Sequence, residues 1–249
     1  MNIFTNDVIA VDIDKSLGAR KNAGYSKGID SIDYGFSPQD TKKLFAGLVI
    51  FEILLVLIFA ADTLLGHPIR PIRILFDLDG EGNIPAWFSS VQLFIVGLVF
   101  LLIGRQTNPD QRPSALLFLI LALGFIFLSA DEAASIHEKI TGALKDIQWV
   151  PRFKGDHGIW VFIYPLIGFT LFLAFYRQLI AMWNRYRYTT LIMAAGMGIF
   201  LIGALGLEII SFQFLRSGSF PLLYKVEVAF EEFFEMLGVS VILYGAMLL

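Results

Sequence analysis

Residues 114–138 read SALLFLILALGFIFLSADEAASIHE. No charge interrupts positions 114–130, and then Asp131, Glu132, His137 and Glu138 arrive within eight residues. A helix rises ~1.5 Å per residue, so roughly 20 apolar residues cross a hydrocarbon core of ~30 Å. The run is long enough to span, and it ends on a cluster of ionisable groups. The apolar residues follow one another without two-residue alternation, which excludes a barrel strand and leaves a helix.

The same pattern recurs along the chain. Apolar stretches lie near 44–65, 85–104, 114–136, 158–181, 189–213 and 226–248. The composition agrees, with 56% hydrophobic residues in 249 and a mean hydropathy of +0.69. The expectation is an all-α polytopic membrane protein with six transmembrane helices in one bundle, covering residues 37–249. Residues 1–36 mix Gly, Asp, Lys, Asn and Ser without a helical period and are expected to form a polar, largely disordered tail. No cleavable leader is expected, because the first apolar run is long enough to remain as an anchor. Ser37-Pro38-Gln39-Asp40 carries the signature of a helix start, with a capping serine and an acid three residues on.

Composition excludes several function classes. With no cysteine there is no disulfide and no thiolate metal ligand. A net charge of −3 without a basic face excludes nucleic acid as a partner. Of the 19 Lys and Arg residues, 11 fall on the side of the tail and 8 on the other. The bias places both termini in the cytoplasm. Fourteen of the 22 acids and all three histidines fall on the opposite, non-cytoplasmic side.

Charge at membrane depth is costly and marks function by default. Counting helical rise from the cytoplasmic end of each span, Asp131, Glu208, Glu231 and Glu235 share a slab roughly 7 Å thick. They belong to three different helices. Such acids need a divalent metal, shared protons or basic partners. Carboxylates with an imidazole suit Zn, Fe, Mn or Mg. The expected metal ligands are Asp131, Glu132, His137, Glu138, Glu208, Glu231 and Glu235, with Glu232 as a general base. Asp131, Ser135 and Glu138 share one face if the helix is unbroken.

Two further features carry alternatives. Asp77-Leu78-Asp79-Gly80-Glu81 matches the first half of a calcium loop, but Phe88 stands where the bidentate acid belongs. The competing expectation there is a polar turn capping the next helix through Asn83 and Pro85, or a lid over the acidic site. Glu52 sits alone at mid-span, either neutral or as a step in a proton path. Gly196, Gly198, Gly203 and Gly206 predict close helix packing and offer a face for an oligomer.

Asp131-Glu132-x4-His137-Glu138, followed by Glu231-Glu232-x2-Glu235, resembles uncharacterised multi-pass membrane proteins of bacteria. That resemblance implies a bacterial inner membrane and transfers no activity. The several zinc histidines of alkaline ceramidase-like hydrolases are not matched, since His137 is the one helix-borne histidine. Three functions are therefore expected to compete. The first is a metal-dependent membrane hydrolase or oxidoreductase acting on a lipid-phase or outer-leaflet substrate. The second is a proton- or cation-coupled transporter or channel using the same acids. The third is a non-catalytic membrane interaction protein.

Overall fold

The computed structural model describes residues 37–108, 110–216 and 220–249. The tail expected over 1–36 lies outside the described residues. Within them the chain is helical, with no strand. In chain order the helices are α1 (Pro38–Leu64), α2 (Arg70–Phe76), α3 (Ile84–Gln106), α4 (Ala115–Ala134), α5 (Ile136–Leu144), α6 (Trp160–Arg185), α7 (Arg187–Leu215) and α8 (Pro221–Met247).

Local chemistry sets the helix starts. The Ser37 hydroxyl accepts the Asp40 N–H at 3.2 Å, and the Asp40 carboxylate accepts the Ser37 N–H at 3.3 Å, a complete capping box. Asn83 does the same for α3, accepting the Ala86 N–H at 3.1 Å with Pro85 in the first turn.

Helices α1, α3, α4, α6 and α7 are each long and apolar enough to cross a hydrocarbon core, which fits a multi-pass membrane protein. The sixth expected span, α8, has 27 residues, but the stretch from its start to just past its midpoint carries Lys225, Glu227, Glu231, Glu232 and Glu235. On composition alone it falls short of the other five.

The bundle is organised around α8, which packs on α1, α3 and α7. Small residues permit the α7–α8 contact: a Cβ on Gly238 would lie 2.5 Å from the Phe200 amide nitrogen. Helices α3 and α4 form a second close pair, where the Ser90 hydroxyl donates to the Ser129 carbonyl at 2.8 Å. Polar side chains pin α1, α3 and α8 together at Glu52, Gln92 and Ser240. Glu52 is therefore not alone, as its sequence position suggested. Helix α6 lies at the periphery and leaves most of its large apolar side chains uncovered, including Leu166, Phe169 and Phe172.

Candidate metal centre

The acidic end of the bundle depends on a helix break. The run that opens at Ala115 stops at Ala134, because Ser135 adopts a left-handed conformation with φ of 48°. A new helix, α5, starts at Ile136. The shared face expected for Asp131, Ser135 and Glu138 therefore does not exist; the chain turns between them. At that turn the Asp131 carboxylate reaches forward and accepts the His137 N–H at 2.7 Å, satisfying a free donor of the new helix.

Asp131 also holds the His137 ring, with Nδ1 3.2 Å from its second oxygen. The Tyr164 hydroxyl of α6 donates to Asp131 at 3.2 Å. Trp160 closes edge-on against the imidazole, with centroids 5.2 Å apart. With Nδ1 turned to a carboxylate, Nε2 is the nitrogen left for a ligand, the arrangement by which carboxylates orient metal-binding histidines. Partial burial disfavours a charged ring. The Asp131 hydrogen bond and the charges of Asp131, Glu81 and Glu132 outweigh it, and hold the His137 pKa above its ordinary value.

Glu81 completes the group from the other side. Asn83 donates to the carbonyls of Asp77 at 2.5 Å and Gly80 at 2.7 Å, so the loop between α2 and α3 is tied down. Asp77 accepts the Asp79 N–H at 3.2 Å. Asp79 is held by the Tyr224 hydroxyl at 2.6 Å and Lys225 at 2.7 Å, both on α8. Glu81 instead meets His137 and Glu138. One ligand atom from each of these three residues lies within 4.8 Å of the others, the one such group of three among the described residues. The three acids of the candidate calcium loop thus take three different sets of neighbours, and Asn83 caps α3 as the capping-turn reading expected.

The deeper acids surround this group. Glu132 on α4 feels the charges of Glu81, His137 and Asp131 and is hydrogen-bonded to Ser89 of α3. Glu235 on α8 feels Glu132, Glu208, Asp131 and Glu81, and Glu232 feels Glu235, Glu132 and Glu81. Glu231 faces Glu208, which forms an ion pair with Arg216 at 3.8 Å. Helix α7 widens into π-helical turns at Ile202–Leu207 and Ser211–Leu215, one on each side of Glu208. Gly203 lies in the first of these turns, where a Cβ would stand 2.9 Å from the Glu235 side chain. π-turns are rare and concentrate at functional sites. A cleft of about 310 Å³ opens beside the group, lined by His137, Glu138, Trp160, Glu208, Phe212 and Arg216 among others.

Sequence reasoning assigned Glu81 to a different site and gave Tyr164 no role. Its sole signal for Glu81 was the acidic loop placed over the cluster. Of the two remaining histidines, His67 bonds Asp62 at 2.6 Å, and His157 stacks on Phe212.

Residues 47–249 match the family described as Domain of unknown function (DUF8692). The chain belongs to this family. Every residue of the centre described above falls inside the matched region. No curated protein and no solved structure matches the chain.

Proposed function

We propose that the chain is a six-span protein of the bacterial inner membrane, with both termini cytoplasmic, that holds a divalent metal ion at its non-cytoplasmic face. Helix α8 is the sixth span. Its 27 residues reach about 40 Å, and its acids are turned inward, with Glu227 buried and Glu231, Glu232 and Glu235 half-buried. Inward-facing, clustered acids are the form in which charge survives at membrane depth.

The observation that carries the metal assignment is the meeting of Glu81, from the loop between α2 and α3, with His137 and Glu138, consecutive residues of α5, within 4.8 Å. Oxygen ligands with one imidazole suit Zn, Fe, Mn or Mg. Glu132, Glu208, Glu231 and Glu235 lie behind as further carboxylates. Asp131 orients His137 rather than standing as a ligand. A bound divalent ion would polarise a substrate oxygen or activate water at neutral pH. Glu132, close to both Glu81 and His137, is placed to take the proton of that water, with Glu232 behind it as a second proton acceptor. The adjoining cleft admits a substrate delivered from the lipid phase or the outer leaflet.

Elemental analysis of the purified protein tests this. About one metal ion per chain is expected in the wild type, with loss in His137→Ala and Glu138→Ala and retention in His67→Ala. Equal metal content in all four proteins, or none in any, would refute the assignment.

A further inference from the structure

Away from the acidic end, three polar side chains meet inside the bundle. Glu52 of α1 has 0% of its surface exposed, Gln92 of α3 has 1% and Ser240 of α8 has 1%. Glu52 Oε1 accepts two hydrogen bonds, from Gln92 Nε2 at 2.8 Å and from the Ser240 hydroxyl at 2.6 Å. Gln92 Nε2 also donates to Ser240 Oγ at 2.8 Å. Every donor of the cluster is spent on these contacts. Two acceptors remain, Glu52 Oε2 and Gln92 Oε1, both buried and both without a donor among the described residues. Among the described residues, Gln92 and Ser240 are the hydrogen-bond partners of Glu52.

A buried carboxylate that lacks a cation and half its hydrogen bonds is costly. A single proton on Glu52 Oε2 removes the charge. It also turns one orphaned acceptor into a donor, while the Gln92 carbonyl is an acceptor that lacks one. Acid and amide then have complementary halves: amide N–H to acid carbonyl, which is present, and acid O–H to amide carbonyl, which the proton supplies. A metal cation fits less well, since it needs several more oxygens than the two left over.

We infer that Glu52, Gln92 and Ser240 form a proton-binding site in the interior of the bundle, occupied by one proton on Glu52 Oε2. The site connects to the acidic end along two helices. Ser240 lies five residues beyond Glu235 on α8, about 7.5 Å along the axis. Gln92 lies three residues beyond Ser89, the hydroxyl partner of Glu132. The site stands independently of the metal assignment, because none of its residues belongs to the metal group.

Infrared difference spectroscopy in lipid nanodiscs tests the inference. Subtracting the Glu52→Gln spectrum from that of the wild type is expected to show loss of one protonated-carboxyl C=O band and no carboxylate band. The amide of Glu52→Gln can take the place of the O–H donor, so the variant is expected to fold with an unchanged melting temperature. Ser240→Ala keeps the acid and the amide and is expected to shift the same band, through loss of one hydrogen bond to Oε1. The Ser240→Ala spectrum decides the question even if Glu52→Gln does not assemble. Loss or shift of carboxylate bands instead overturns the inference, as does a band that changes when sodium is replaced by choline. Chelation of metal is expected to leave the band unmoved.

Discussion

At the scale of single residues, the centre turns on how Asp131 is used. Its depth could be counted from the sequence, and its neighbourhood with Glu235 followed from helical rise. Its role could not, because that depends on the left-handed Ser135, which no periodicity announces. Once the helix breaks there, the Asp131 carboxylate meets both the backbone N–H and the ring of His137. The raised pKa of His137 then gives a signed prediction for the metal-free protein. The stabilising contribution is full below the unfolded value of about 6.5 and is lost as pH rises through the higher folded value. Thermal unfolding after chelation is expected to show wild type losing stability as pH rises above about 6.5. His137→Ala should show a smaller loss over the same interval; equal losses would count against the Asp131–His137 pair. Asn83 makes a second test at this scale. Asn83→Ala removes the α3 cap and both loop ties, so it should destabilise by roughly 1–2 kcal/mol and also weaken metal retention through Glu81.

Between elements, the spacing of small residues was legible but its direction was not. Gly196, Gly198, Gly203 and Gly206 all looked equivalent on a helical wheel. The structure separates them: Gly203 and Gly196 press on α8, whereas a Cβ on Gly198 would meet nothing within 4 Å. Gly238→Ala would push into the Phe200 backbone and should cost about 1–3 kcal/mol by overpacking. Gly198→Ala should be neutral or slightly stabilising, and denaturation in matched detergent would show the contrast. The π-turns around Glu208 were invisible in sequence, because the apolar run continues through them without a marker. The path of the α2–α3 loop was hidden for the same reason. Glu81 reaches His137 because Tyr224 and Lys225, some 145 residues away, hold Asp79.

Across the whole molecule, five apolar helices could be read from composition, and the sixth depends on α8 crossing despite its acids. The chain has no cysteine, so each introduced cysteine is the sole reactive thiol. Phe220→Cys is expected to react with an impermeant maleimide from the non-cytoplasmic side and Leu249→Cys only after permeabilisation. Labelling of both from one side would show that α8 does not span. Metal should also stabilise the fold as a whole, by about 2.7 kcal/mol at a hundredfold excess over Kd. The most direct measurement is X-ray absorption at the edge of the metal carried by the purified protein. A first shell of oxygens with one imidazole nitrogen is expected, with ring scattering that disappears in the residual metal of His137→Ala. A first shell of oxygens alone, unchanged by that substitution, would refute the proposed metal centre.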